Sequence, residues 1–338
     1  MARYVVVGPG AVGASFAAAL SERADVVVVA RGRALTHLST HPLRFVTSGG
    51  TRSVTLAAIA VDELKLRIDD VLIAAVKAQH VAAVAESLAW LPVFDGDTEV
   101  GVAAELLSLV TAQNGIDAEQ TAARWFPHIV GATMSIAARY TDVGEVRVGG
   151  TPHLGAIIAG LPFGQDTVAS ATLDALLTDL DATGFAVRRT DDIARVKGTK
   201  LLHNVKNALE VLAGDDEAKS LVAEALEEET RSVLDAAGHP YGDKSILVVD
   251  PQQRGGDTAL GVGPGAQSTW QSFARGADSH EVDHLNGDVA RLARLSGARA
   301  PVNTALQIIV GIAARRGGGV NLPGLDRLID LVAEPTHL

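Results

Sequence analysis

Three groups of residues in this 338-residue chain have the types and spacing to do chemistry. The first is Gly8-x-Gly10-x-x-Gly13, set between the apolar run Tyr4-Val5-Val6-Val7 and an Ala-rich stretch that continues to Leu20. That order predicts strand, tight turn and helix. Gly8 permits the turn, Gly10 leaves room for a pyrophosphate against the backbone, and Gly13 lets the helix pack on the strand. The unpaired N–H groups at the helix start, where Ala11 and Val12 stand, then attract phosphate. The second group is Lys200, Asn204 and Asn207, at i, i+4 and i+7. On one α-helix these positions fall within roughly 60° of each other. Apolar Leu201, Leu202, Val205, Ala208 and Leu209 flank them, so the polar stripe reads as one wall of a lined cleft. The third group follows two apolar runs: Val76-Lys77-Ala78 and Gln113-Asn114-Gly115. Ligands of open parallel sheets bind at the carboxyl ends of the strands. Lys77 there suits a phosphate or carboxylate, and Asn114 offers both a donor and an acceptor.

The end of the second strand narrows the nucleotide. A site for NAD carries Asp or Glu near this point to accept from the ribose 2′-hydroxyl, whereas an arginine pairs with a 2′-phosphate. No acidic residue lies between Asp25 and Asp62, and Arg31 stands at the strand end with Arg33 close behind. The expected cofactor is therefore NADP(H). Glu281 and His284 have a metal-compatible spacing, but no third ligand is evident and H-E-x-x-H is absent, so no metal is expected.

The elements that must position these groups change character along the chain. Up to about residue 189, strand and helix patterns alternate. Val71–Val76 and Leu106–Ala112 read as buried strands, and Leu43–Val46 with Val54–Val61 as a hairpin joined through Gly49-Gly50. Beyond Thr190, helical stretches dominate: 193–212, 218–237, 270–296 and 303–314. This segregation predicts two domains, a Rossmann-type α/β domain over residues 1–189 and an all-α domain over 190–338 that carries substrate and catalytic residues. The Gly-rich stretch from Asp250 to Gly265 reads as a mobile loop between helices.

Composition excludes several partners. Forty acidic against 29 basic residues give a net charge of −11, a poor match for nucleic acid. With no cysteine, disulfides and thiolate metal sites are ruled out. The first strand pattern begins at the N-terminus, leaving no room for a signal peptide, and the longest apolar run, near Ala305–Ala314, is too short to span a bilayer. A cytoplasmic protein acting on a small molecule, without nucleic acid or membrane, is expected. The sequence sets no oligomeric state and is compatible with a homodimer.

These motifs, in this order and spacing, resemble the ketopantoate reductase (2-dehydropantoate 2-reductase) family over nearly the whole chain. The likeness runs through Gly8-x-Gly10-x-x-Gly13, Arg31, Val76-Lys77-Ala78, Gln113-Asn114-Gly115 and Lys200-Leu201-Leu202-x-Asn204-x-x-Asn207. It continues through Ser268, Glu281-Val282-Asp283-x-Leu285-Asn286-Gly287 and Pro301-Val302-Asn303. The resemblance implies a Rossmann domain followed by a helical domain like the C-terminal domain of 6-phosphogluconate dehydrogenase. It also implies NADPH-dependent reduction of a 2-oxo acid, 2-dehydropantoate to pantoate. Lys200 would be the catalytic acid, Asn204 and Asn207 would hold substrate or the lysine, and Glu281 would meet a substrate hydroxyl. Ser268, or equally Thr269, would meet the substrate carboxylate, with Asn114 and Lys77 near nicotinamide and substrate. The chain departs from the family's best-known members in having Ala208 eight residues after the lysine, with Asn207 one place early. Two alternatives stay open: a reductase of another branched 2-oxo acid on this fold, and a redox sensor that binds NADP(H) without turnover.

Overall fold

The computed structural model describes residues 2–140, 142–262, 270, 273 and 281–333. The chain forms two compact units. One comprises Met1–Gln113, Ala118–Ile193 and Val248–Pro264; the other comprises Asn114–Asp117, Ala194–Leu247 and Gly265–Leu338.

The first unit is built on an eight-stranded sheet. Its opening elements are β1 (Arg3–Val7), α1 (Ala11–Leu20) and β2 (Val26–Val29). Across the sheet the order is Ala186–Arg189, Ala156–Gly160, Ile129–Ser135, Leu109–Thr111, Asp70–Ala74, β1, β2 and Ala57–Ile59. All neighbours are parallel except Ile129–Ser135 with Ala156–Gly160. β1 pairs with β2 on one side and Asp70–Ala74 on the other, so the chain reverses its direction of travel across the sheet at β1. That is the switch point where such sheets bind ligands.

The valine runs follow from burial on both faces. Tyr4 and Val6 pack with Phe16, Val28 and Phe185, while Val5 and Val7 pack with Leu72, Leu88 and Leu109. A period of two puts alternate residues on opposite faces, and helices on both faces need both sets apolar.

Two smaller sheets complete the unit. The expected hairpin forms between Leu43–Thr47 and Gly50–Val54, with Gly50 at φ +124°. The extended run from Val54 does not continue it, because Ala57–Ile59 leaves to join the main sheet. A three-stranded sheet of Leu66–Arg67, Pro92–Asp95 and Thr98–Val102 accounts for the residues around Asp95–Glu105. Residues 103–106 form a helical turn, so the strand read from Leu106 is confined to Leu109–Thr111.

The Gly-rich stretch is not a free loop between helices. Thr151 and Arg254 exchange backbone hydrogen bonds of 3.1 and 2.7 Å, and Gln253 Nε2 donates to the His153 carbonyl at 2.9 Å. Backbone pairing ties the segment to the first unit at Thr151, and a bridge between Asp257 and Val262 closes the segment on itself; Gly263–Gly265 lie outside the described residues.

The second unit is helical: Ile193–Asn204, Asp216–Ala236, Asn286–Ser296, Pro301–Arg315 and Leu325–Ala333. Its core is aliphatic, with Leu201, Val205, Leu226, Val289 and Leu306 fully enclosed. The helix over Asp216–Ala236 begins at Asp215, whose carboxylate accepts the Ala218 N–H at 2.8 Å. The helix read through residue 212 stops at Asn204. After a turn, Asn207–Val211 forms a 3₁₀ segment. Two asparagines within four residues favour this break, because their side chains compete for backbone hydrogen bonds. Among the described residues, no helix is long and apolar enough to cross a membrane.

Candidate functional site

The turn after β1 has the geometry its glycines suggest. Gly8 has φ +94°, and a Cβ on it would lie 2.6 Å from Val76 Cγ1. A Cβ on Gly13 would collide with the Gly8 carbonyl oxygen and touch Ala75 Cβ, so α1 packs as closely as backbone allows. At Gly10 a Cβ would meet nothing within 4 Å. The first two glycines of the motif thus differ in kind. Gly8 is demanded by the fold, whereas Gly10 faces open space that a ligand could enter.

Gly10 is the N-cap of α1 and makes no side-chain cap. The N–H groups of Ala11 and Val12, in the first turn, are beyond the reach of an intrahelical carbonyl, and the N-cap offers them no side chain. These donors at the positive end of the helix dipole fit a dinucleotide pyrophosphate. Arg31 follows β2 as the exposed N-cap of the helix Gly32–Leu38. Arg33, two residues on, lines a cavity of about 570 Å³ with His37 and His41.

Lys77 follows the strand Asp70–Ala74 and caps the 3₁₀ turn Ala78–His80. The backbone just before it is held by Gln113, which the sequence offers only as the first residue of a motif. Gln113 is buried, and its Nε2 donates to the carbonyls of Ala74 at 2.6 Å and Val76 at 2.9 Å. It extends the parallel ladder between Asp70–Ala74 and Leu109–Thr111 past its last backbone pair. The available signal was an amide directly after a buried apolar run.

Asn114 is half-buried and opens the segment Asn114–Asp117, which groups with the helical unit. Gly115, at φ +86°, lies so close to the His284 carbonyl that a side chain could not be added. Asp117 sits 3.9 Å from His284 Nδ1 and 3.8 Å from Arg291.

Within the helical unit the structure brings together residues far apart in sequence. Lys200 stands one turn before the end of Ile193–Asn204, half-buried. Burial first, and then neighbouring Lys197, pull its ammonium pKa down to about 8 against the opposing pull of the Glu281 carboxylate. Glu281 is itself buried, on the 3₁₀ turn Glu281–His284. Asn204 is buried, and its Nδ2 has no hydrogen-bond partner among the described residues. It lies one turn after Lys200 on the same helix. Asn207 does not, since it opens the next 3₁₀ segment, so the shared helical face extends only to Asn204. Asn207 instead lines a cavity of about 700 Å³ with His203, Lys206, Lys219 and Trp270. Ser268 and Thr269 lie outside the described residues. Among those described, no three His, Asp or Glu side chains cluster as a metal site would require.

Comparison with known proteins bears on the whole chain. Residues 4–159 match the family described as ketopantoate reductase PanE/ApbA, and residues 194–314 match the ketopantoate reductase PanE/ApbA C-terminal family. A 2-dehydropantoate 2-reductase of Mesorhizobium japonicum is 25% identical, over 93% of this chain and 99% of that one. Among solved structures, a PanE/ApbA family ketopantoate reductase from Ralstonia eutropha JMP134 aligns with TM-score 0.70 and 21% identity, over 94% of this chain and 99% of its own. D-mandelate dehydrogenase, solved with NADH and anilino(oxo)acetate, aligns with TM-score 0.75 and 17% identity over the same shares. The two family matches cover both the sheet unit and the helical unit, and the chain belongs to the ketopantoate reductase family of oxidoreductases.

Proposed function

We propose that the protein reduces a 2-oxo acid with NADPH, 2-dehydropantoate to pantoate being the first candidate, and that Lys200 is the proton donor. The observation that carries this reading is the Lys200 ammonium, half-buried beside Leu201 and Leu202 on its helix, its pKa lowered to about 8, with the buried Glu281 carboxylate acting on it.

The cradle at Gly8, Gly10, Ala11, Val12 and Gly13 would hold the pyrophosphate, and Arg31 the 2′-phosphate. Lys77 and Asn114 would contact the cofactor or the substrate. When bound, the reduced nicotinamide supplies a hydride. As a ketone carbon accepts it, negative charge grows on the carbonyl oxygen. Lys200 Nζ–H stabilises that charge and gives up its proton to the oxygen. A pKa of about 8 suits this role, because the group is mostly charged at neutral pH yet releases its proton readily. The Glu281 carboxylate favours the protonated amine and would accept from a substrate hydroxyl. Asn204 Nδ2, buried without a partner, supplies a donor that a carboxylate or carbonyl would satisfy. Asn207 would line the substrate side. Ser268, or Thr269 in its place, would receive the carboxylate.

The test mixes protein, NADPH and a panel of 2-oxo acids and follows the absorbance of the reduced nicotinamide. Fast oxidation with 2-dehydropantoate supports the first candidate. The relation to D-mandelate dehydrogenase adds an aryl 2-oxo acid and an NADH arm to the panel, and a clear preference for either would move the reading to another 2-oxo acid or to NAD. Tight NADPH binding with no turnover on any substrate would mark a sensor.

A further inference from the structure

Beneath the Lys200 helix lies a chain of polar groups that the mechanism above does not use. Asn286 Nδ2 donates to the Val205 carbonyl and to Asn303 Oδ1, both at 2.9 Å. Asn303 Nδ2 donates to Glu229 Oε1 at 2.8 Å and to Thr230 Oγ1 at 3.4 Å. Glu229 also accepts the backbone N–H groups of Asn303 at 2.8 Å and Val302 at 2.9 Å, capping the helix Pro301–Arg315 from outside. Each of Glu229, Thr230, Asn286 and Asn303 is at most 3% exposed, in a core made mainly of Leu, Val and Ala.

The line ends at a significant atom. Val205 follows the last helical residue, and its carbonyl is one of the acceptors that a helix terminus leaves unsatisfied. Taking that carbonyl, Asn286 fixes where the helix of Lys200 and Asn204 stops. Asn286 also begins the helix directly after the turn that carries Glu281. One side chain thus ties the end of the lysine's helix to the start of the helix that follows the carboxylate's turn. Apolar packing alone would fill the space but leave the helix free to slide, since it has no direction; buried hydrogen bonds have one.

We propose that Glu229, Asn303 and Asn286 form a buried positioning relay that sets the Lys200–Glu281 spacing. The inference rests on the reading of Lys200 as proton donor. It assigns the three residues no contact with substrate: they act through the Val205 carbonyl and the Glu281 turn.

The experiment compares Asn286→Ala and Asn286→Ser with the parent protein. Asn286→Ser keeps one donor and a smaller disturbance, and it decides the matter should Asn286→Ala fail to fold. Three quantities are read: kcat over a pH series, NADPH affinity, and the Lys200 titration followed by NMR of protein with carbon-labelled lysine. The relay predicts a fall in kcat of about tenfold or more, with NADPH affinity held within about twofold. It also predicts that the basic limb of the kcat profile and the Lys200 titration midpoint move together. A folded variant with parental kcat, profile and titration overturns the relay. Lys200→Met separates the two readings. If that variant turns over normally, the lysine assignment fails, while the NMR midpoint in Asn286→Ser still decides whether the relay controls the lysine's surroundings.

Discussion

The cofactor cradle and the lysine site are specified in different ways. In the cradle the side chains are absent: Gly8, Gly10 and Gly13 act through what they lack, within a few residues of one another. In the helical unit the working groups are side chains on separate elements, Lys200 on one helix and Glu281 on a distant turn, held together by packing. A local backbone motif reads out in sequence order. A convergent site depends on the tertiary fold, so its spacing cannot be seen until the elements are assembled.

The sharpest way to test that division is to remove the chemistry from one region and leave the other intact. Lys200→Met is expected to lower kcat by about 10²–10⁴-fold while NADPH affinity, measured by fluorescence titration, stays within about twofold. In the parent protein the same lysine sets a pH dependence. Its pKa is pulled down to about 8, so the ammonium is the main species below that value and is lost as pH rises through it. Turnover should therefore decline above about pH 8. A flat profile through pH 9–10 would detach Lys200 from the proton transfer.

How much was legible follows the same line. The strand–turn–helix, the alternating strands and helices of the first half and the helical second half all appear where periodicity and glycine spacing point. The one-helix stripe of Lys200, Asn204 and Asn207 does not, because the helix ends at Asn204. Helical spacing assumes that a helix continues, and the partner that receives the carbonyl just past the end of this one, Asn286, lies far along the chain. Gln113 was quoted as part of a motif, yet its grip on the Ala74 and Val76 carbonyls depends on two strands being neighbours. The segment after Asp250 looked mobile by composition. Its pairing with Thr151 is a long-range contact that composition does not record.

Arg31 extends the comparison to electrostatics, since it is the one charged side chain assigned to the pyrophosphate and ribose side of the cradle. Its exposed position after β2 suits a 2′-phosphate. If Arg31 pairs with the 2′-phosphate as proposed, replacing it with Ala would remove a charge-assisted contact worth about 1.5–3 kcal/mol, and KM for NADPH should rise by about 10- to 100-fold. The value for NADH should scarcely move. Equal changes for both cofactors would show that Arg31 supports the fold rather than the phosphate.

Gly10 and Gly13 test the cradle against itself. Gly10→Ala places a methyl in open space, so melting temperature should hold while NADPH binding weakens by about tenfold. Gly13→Ala drives a methyl into the Gly8 carbonyl, so stability should fall by about 1–3 kcal/mol along with binding. If the two variants melt alike, the separation of ligand space from packing space is wrong.

The smallest effect lies where Asn114–Asp117 meets the helical unit. Asp288 is buried beside Asp117, and its Oδ2 has no hydrogen-bond partner among the described residues. Burial, then the Asp117 charge, pushes its carboxyl up to about 7 from the ordinary 3.8, against the pull of Arg291, which donates to Oδ1 at 3.1 Å. Between those two values the native protein holds a proton that the unfolded chain has released. This residue's contribution to stability therefore decreases as pH rises from about 4 to about 7 and is level above. The full shift would be worth no more than about 4 kcal/mol, and screening around the partly exposed Arg291 brings the expected figure to about 1–2 kcal/mol. Asp288→Asn lacks the titration, so urea melts at pH 5 and pH 8 should show the variant gaining on the parent at the higher pH. A constant difference between the two proteins would mean that Asp288 is already ionised throughout, with Arg291 and the Ile116 N–H outweighing burial.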